Sequence, residues 1–302
     1  MSDGKAAWVA VDWGTSNLRA WVMGAGAQVL ATPRAAAGMN SLDPDGFEPA
    51  LLDLLGPWLG SEGLPVIACG MVGAKQGWRE APYVAVPCAP PALAQAVRPP
   101  VRDQRVDVRI LPGVSQLSPP DVMRGEETQI AGYLWGDPDF DGVICLPGTH
   151  SKWVHVSAGE IVSFRTFMTG ELFDLLSRQS VLRHSVSQED GWDDAAFLAS
   201  VDDMMSNPQR LAARLFGLRA GALLEGTDPV RLRARLSGLL LGMEIAGARD
   251  YWLGRDIMLI GAPTLTARYR TALQAQGAAV RETDGADIVL AGLSAAYMEV
   301  SA

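Results

Sequence analysis

The sequence is poor in the residues that build metal centres and covalent frameworks. Its 302 residues contain 3 Cys and 3 His. Cys69, Cys88 and Cys145 lie far apart, and none belongs to a Cys-x-x-Cys pair. That excludes a disulfide framework or a zinc ribbon and fits a reducing, cytoplasmic compartment. His150, His155 and His184 are too few for a histidine-rich metal site. Basic charge is scarce as well: 25 Lys+Arg stand against 34 Asp+Glu, the net charge is −9, and no Lys/Arg run exceeds two. With an isoelectric point near 4.9, nucleic acid is not an expected partner. No stretch approaches 18 uninterrupted apolar residues, and the opening MSDGKAAWVAVDWG lacks the basic and apolar regions of a signal peptide, so no membrane partner is expected. G-x-x-x-x-G-K-[ST], G-x-G-x-x-G before a helix and G-x-S-x-G are all missing. P-loop, Rossmann and α/β-hydrolase readings therefore lack support.

What is present suits a globular protein with ample core: 48% apolar and 20% charged residues. The length implies about two domains. Ala7–Val11, Leu18–Met23 and Gln28–Thr32 read as strands separated by the turns Asp12–Asn17 and Gly24–Gly26. After Asp137-Pro138-Asp139 the pattern returns as Val143–Leu146, Lys152–Val156 and Glu160–Thr166. GTSNLRAWV and GTHSKWV share a turn, a basic residue and a Trp-Val strand, a weak internal repeat that opens each half. Helices are expected over Phe47–Leu59, Glu126–Leu134, Gly170–Ser177, Trp192–Met205, Gln209–Leu224, Val230–Leu253 and Asp287–Met298. Gly238, Gly242 and Gly247 mark a close neighbour on the long one. The segment after Val106–Leu111 reads as a proline-rich loop. The expected domains are 1–137 and 138–302, the last helix being a candidate to pack back on the first.

Chemistry concentrates in the turns. A tight Gly/Thr/Ser turn between strands aims backbone N–H groups and hydroxyls into one concavity, a cradle for phosphate oxygens. Asp12 at its edge would need a cation such as Mg²⁺ beside phosphates. A plain hairpin with turn-favouring residues is the structural alternative. Gly148-Thr149-His150-Ser151-Lys152 offers a second such turn. Glu126 and Glu127 open a helix, where one could accept a proton from an attacking hydroxyl or simply compensate the helix dipole. The glycine loop from Gly70 to Tyr83, with Lys75, Trp78 and Arg79, could line a small polar substrate, or be a solvated surface loop. Arg124 and Arg165 are further anion candidates.

Taken together, DWGTSNLRAW, GMVGAKQGW…APY, MRGEETQ, PGTHSKWV, FRTFMTGEL, SGLLLGMEIAGARDY and LTARY resemble the 2-dehydro-3-deoxygalactonokinase family. That family lies within the actin/hexokinase/Hsp70 superfamily. The resemblance runs in order from Val9 to about Ala295. It implies an α/β fold of two actin-like, ribonuclease H-like domains with a mixed sheet in each and ATP–Mg²⁺ in an interdomain cleft. It also implies phosphorylation of the C6 hydroxyl of 2-dehydro-3-deoxy-D-galactonate in galactonate breakdown.

Carried over residue by residue, the resemblance puts Asp12 near the metal, and Gly14, Thr15, Ser16, Asn17 and Arg19 in the first phosphate motif. It puts Gly148, Thr149, His150 and Lys152 in the second, and Gly261 and Thr264 in the adenosine motif. Apart from the resemblance, an anionic substrate needs local positive charge, and Met71, Val72, Lys75, Trp78, Arg79 and Arg124 are the candidates to meet the sugar acid. Leu146 stands where the superfamily usually has Asp, and the second and third motifs lack the usual Gly-Gly pair. Glu126-Glu127 resembles the Gly-x-Glu-Glu segment of exopolyphosphatases, in which a glutamate is the base; by that analogy Glu127 is favoured, with Glu126 open. The alternatives are a phosphatase of the same fold, exopolyphosphatase-like, and a non-catalytic actin-like ATP-binding regulator. The oligomeric state, a homo-oligomer among the options, is open.

Overall fold

The computed structural model describes residues 5–26, 28–61, 63–188 and 191–301, with side chains up to 298. The chain forms two compact units: Met1–Phe140 with Ser157–Ser163 and Gly285–Ala302, and Asp141–Val156 with Phe164–Asp284. This division differs from a single cut at 137/138. Ser157–Ser163 counts with the first unit, where Cys88 and Ile161 exchange backbone hydrogen bonds of 3.1 and 2.7 Å.

The first unit starts with β1 (Ala6–Trp13), β2 (Leu18–Gly24), β3 (Val29–Ala31) and β4 (Arg34–Ala35), followed by α1 (Phe47–Leu55) and β5 (Leu64–Gly70). Then come β6 (Tyr83–Ala85), β7 (Val106–Ile110), β8 (Gly113–Leu117), β9 (Pro120–Met123) and α2 (Glu126–Gly136). The second holds β10 (Gly142–Leu146), β11 (Ser151–Ser157) up to Val156, the later half of β12 (Glu160–Phe167) from Phe164, α3 (Thr169–Arg178), α4 (Asp194–Ser206) and α5 (Leu211–Leu224). It continues with α6 (Pro229–Gly247), the single turn α7 (Arg249–Trp252), β13 (Ile257–Gly261), α8 (Pro263–Ala275) and β14 (Val280–Asp284). The last helix, α9 (Gly285–Ser301), belongs to the first unit.

The two main sheets repeat one plan. Their orders are β3-β2-β1-β5-β7 and β12-β11-β10-β13-β14. In each, the central strand pairs antiparallel with its successor (β1–β2, β10–β11) and parallel on its other side (β1–β5, β10–β13). This mixed sheet in each half is the expected architecture, and the repeat in the sequence is its trace. Alternation along β1 separates two cores. Val9, Val11 and Trp13 pack with Phe47 and Leu51 of α1. Trp8 and Ala10 pack with Ile67, Cys69 and, from α9, Val289 and Leu293. By parity Asp12 ends the latter face.

Three expectations need correction. The proline-rich stretch after β7 is not a loop: β8 and β9 form a hairpin that, with β6, makes a small three-stranded sheet. Pro120 is tolerated because it opens its strand, where no ladder donor is required. The helix expected over Val230–Leu253 breaks after Gly247, and the Trp252 indole donates to Ile245 O at 2.8 Å, satisfying a carbonyl that the broken helix leaves. The helix beginning at Phe47 stops at Leu55 and passes into a 3₁₀ turn carrying Pro57.

Helix approach depends on missing side chains, as the glycines of α6 suggested. A Cβ at Gly238 would fall 2.3 Å from Phe197 O of α4. In the first unit α2 and α9 meet through Gly132 and Gly292, where a Cβ would lie 2.0 Å from Ile288 O and Thr128 O respectively. Backbone oxygens cannot step aside as a flexible side chain would, so Gly132→Ala is expected to destabilise the protein by about 3 kcal/mol. Chemical denaturation checks this; a change below about 0.5 kcal/mol, the scale of a surface substitution, would show that the helices are not in this contact.

Candidate active site

In the first unit the site grows from the carboxyl ends of β1 and β5, where open α/β sheets bind ligands. Parallel pairing sets Asp12 beside Cys69 and Trp13 beside Gly70. Gly70 (φ 89°) and Gly125 (φ 109°) both occupy the left-handed region, which a side chain would strain. A Cβ on Gly70 would meet Trp13 O at 2.8 Å, and one on Gly125 would lie 3.4 Å from Gly70 Cα. The start of α2 is thereby held against the ends of both strands.

Asp12 is about one-third exposed and accepts a 2.8 Å hydrogen bond from Arg19 Nη2, its cross-strand neighbour on β2. Arg19 also lies over the Trp21 ring. The turn is braced from behind: Gly14 N donates to Asn17 O at 2.9 Å, Met39 N to Gly14 O and Asn40 N to Thr15 O. Thr15, Ser16 and Asn17 are exposed on an open concavity of about 710 Å³ lined also by Asp12, Arg19 and Arg34.

Glu127 is 2% exposed, and both its carboxylate oxygens accept from Gly125 N at 2.8 Å. Burial, then the Glu126 charge, pushes its pKa up to about 8, against those backbone hydrogen bonds and the Arg124 charge. Glu126 is half-buried and accepts from Arg124 N at 3.1 Å. The Cys69 thiol is pushed up by burial and by the negative charges of Asp12 and Glu127.

The loop from Gly70 to Tyr83 is more ordered than a surface loop. Met71–Gly73 forms a 3₁₀ turn, and Ala81 N closes on Gly73 O at 3.0 Å. Met71 is half-buried, while Lys75 and Arg79 are exposed. Val72 is fully buried, and Trp78 stacks on Phe47 within the core. Both thus belong mainly to packing rather than to an open substrate surface. Arg124 Nη2 donates to Ala81 O at 2.8 Å and its guanidinium lies over Tyr83, leaving Nε and Nη1 buried without a partner.

In the second unit the corresponding place is the end of β10. Gly148 is half-buried, and Thr149 and His150 are exposed. Glu171 N at the start of α3 donates to Thr149 O at 3.0 Å, and His150 Nε2 pairs with Glu171 Oε2 at 2.5 Å. Lys152 is buried and donates to His150 O at 3.0 Å. Gly261 ends β13 next to Pro147, and Thr264 is exposed on the first turn of α8. A recess of about 90 Å³ beside the turn is lined by Gly148, Thr169, Gly170, Leu241, Leu265 and Tyr269 among others.

Comparison with known proteins places this geometry. The family model of 2-keto-3-deoxy-galactonokinase matches residues 12–296. The chain belongs to that kinase family. It is 44% identical over 294 residues to "Probable 2-dehydro-3-deoxygalactonokinase DgoK1" of Rhizobium meliloti (strain 1021), covering 96% of each chain. It is 36% identical over 291 residues to the 2-dehydro-3-deoxygalactonokinase of Escherichia coli (strain K12), covering 95% of this chain and 96% of that one. A crystal structure from Sinorhizobium meliloti, described as a candidate 2-dehydro-3-deoxygalactonokinase, superimposes with a TM-score of 0.91 at 43% identity, covering 97% and 99% of the two chains. Component A of the Acidaminococcus fermentans (R)-2-hydroxyglutaryl-CoA dehydratase shares the fold, with a TM-score of 0.54 at 13% identity. The phosphatase and non-catalytic alternatives are not favoured by these relatives.

Each half of this galactonokinase-family chain carries one of the turns singled out in its sequence at a strand end, Asp12–Arg19 after β1 and Gly148–Lys152 after β10. Sequence reasoning missed Thr169, Glu171, Glu244 and Tyr269, which come from helices. Glu171 stood in the FRTFMTGEL segment and Glu244 in SGLLLGMEIAGARDY, but neither had local spacing to mark it. Among the described residues no cluster of three or more His, Cys, Asp or Glu could hold a metal, and no helix is long and apolar enough to cross a membrane.

The raised Glu127 pKa has a signed consequence. Its folded value of about 8 exceeds the ordinary 4.5, so the native state takes up the proton more readily than the unfolded chain. Stability is greatest below 4.5 and falls as pH rises toward 8. Glu127→Gln removes that dependence: it is expected to match the parent protein near pH 5 and exceed it by on the order of 3 kcal/mol at pH 8. Urea midpoints at the two pH values decide; a difference independent of pH would contradict the shift.

Proposed function

We propose that this protein transfers the γ-phosphoryl group of ATP to the C6 hydroxyl of 2-dehydro-3-deoxy-D-galactonate, a step in galactonate degradation. The observation that carries the reading is the family match over residues 12–296, supported by phosphate-type turns at the ends of β1 and β10. In the proposed division of labour the first unit supplies the phosphate turn Asp12–Arg19, the sugar-acid loop and the base. The second supplies the turn Gly148–Lys152 and the adenosine site, with Gly261, Thr264 and the neighbouring recess receiving the nucleoside.

Phosphoryl transfer is chiefly positioning and charge stabilisation. Backbone N–H groups and hydroxyls of Gly14, Thr15, Ser16 and Asn17, with Arg19, would bind phosphate oxygens; Gly148, Thr149, His150 and Lys152 would do the same in the second unit. Asp12 fits a Mg²⁺ ion in one respect, since magnesium commonly takes one or two carboxylates and completes its shell with phosphate oxygens and water. Such an ion would neutralise phosphate charge. Lys75, Arg79 and Arg124 are proposed for the acid group, and Arg124 has donors to offer. Glu127 accepts the proton as the substrate oxygen bonds to the γ-phosphorus and the bond to the bridging oxygen of ADP breaks. A carboxylate with a pKa near 8 is a stronger base than an exposed one, at the cost of being largely protonated at neutral pH.

ADP release across a panel of 2-keto-3-deoxy sugar acids tests the reading. The galactonate-derived acid is expected to give the highest kcat/KM; phosphate release from ATP at the same rate without acceptor would overturn it. Below pH 8, kcat/KM should rise about tenfold per unit. Glu127→Gln should lose about 10²–10⁴-fold in kcat while still binding ATP, and near-normal turnover would pass the role to Glu126. Asp12→Asn should require more magnesium for half-maximal rate; an unchanged titration would remove Asp12 from the metal.

A further inference from the structure

The proposed reaction leaves one fully buried acid without a purpose. Glu244 is 0% exposed on α6, within a stripe otherwise made of Leu, Gly and Ile. A leucine would fill that space without the cost of burying a carboxyl group. The acid is fully engaged instead. Trp153 Nε1 donates to Oε1 at 2.8 Å, and Tyr269 OH donates to Oε2 at 2.9 Å. Tyr269 OH also lies 2.7 Å from Ser151 Oγ. Because the tyrosine proton goes to Glu244, the serine hydroxyl donates to the tyrosine oxygen. A directed chain thus runs from Ser151 through Tyr269 to Glu244, all of it buried.

Its two ends matter. Ser151 belongs to the Gly148–Lys152 turn, and Tyr269 sits on α8 and walls the adjoining recess with Gly148, Gly170 and Leu265. We propose that Glu244 is a positioning residue for the nucleotide, fixing the phosphate turn against α8 through Tyr269 and Ser151. The inference rests on the reading of that turn as a phosphate site. Burial pushes the acid up to about 7, while the hydrogen bonds from Trp153 and Tyr269 and the nearby Thr169 and Ser151 hydroxyls oppose it. The titratable neighbours Cys145 and Tyr269 are themselves pushed up by burial, so none of them supplies a counter-charge. Hydrogen bonds alone hold the carboxyl group in place.

Tyr269→Phe and Ser151→Ala each delete one hydroxyl from the chain and preserve the packing. Both are expected to weaken binding of the non-hydrolysable analogue AMPPNP with magnesium about three- to tenfold, leaving KM for the sugar acid within about twofold. The double variant should be no weaker than the worse single one, since both cut the same chain. Glu244→Gln, which keeps an acceptor, should bind the analogue more tightly than Glu244→Leu. Analogue affinity within twofold of the parent in both single variants would overturn the proposal. Thr149→Val separates this failure from that of the parent reading. If it weakens the analogue while the other two do not, only the positioning role falls; if it too binds normally, the phosphate turn itself is misassigned.

Discussion

The parallel pairing of β1 with β5, in the register that sets Asp12 beside Cys69 and Trp13 beside Gly70, is the constraint on which the rest of the first unit depends. It brings two carboxyl-terminal strand ends together, and an antiparallel partner would have placed one end and one start there instead. Gly70 then lets the chain turn back immediately, and Gly125 lets α2 begin against it. Asp12 with its turn and Glu127 lie more than a hundred residues apart in sequence, yet the helix carrying Glu127 starts against the strand ends that carry Asp12 and Gly70. The second unit repeats the device with β10 and β13, which is why its turn and the start of α8 are also neighbours.

Placing acids at such strand ends has an electrostatic cost that the fold meets differently in the two units. Glu127 accepts from the Gly125 N–H and, at 3.4 Å, from the Thr128 hydroxyl, with Glu126 adding like charge, and its proton affinity climbs furthest. Glu244 receives donors from Trp153 and Tyr269 and rises less. The difference follows from desolvation, which favours the neutral acid, competing with hydrogen bonds, which favour the anion.

Much of this was legible in the sequence, and the exceptions have physical reasons. Strand–turn–strand units were readable because apolar runs broken by Gly, Thr and Asn are local signals, and they occurred twice. The small sheet of β6, β8 and β9 was hidden because Pro119 and Pro120 read as breakers, although a proline at a strand's first position removes nothing. The end of α6 was hidden because apolar spacing continues through Trp252, and only the tertiary fold shows the indole turning back to Ile245 O. Val72 and Trp78 lay in a glycine-rich, charged segment, and composition did not show that their side chains point into the core. Glu244 was the least visible, because its partners Trp153 and Tyr269 are 91 and 25 positions away, beyond any local pattern.

The departure of the second turn from the usual superfamily pattern also acquires a meaning from register. Asp12 faces Arg19 across β1 and β2, and the equivalent cross-strand pair in the second unit is Leu146 facing Lys152. Where the first unit closes an acid–base pair at 2.8 Å, the second has an apolar side chain opposite its cation. The Lys152 ammonium donates to the His150 carbonyl, inside the turn. One strand motif thus keeps its register in both units while the residue opposite the cation changes from aspartate to leucine.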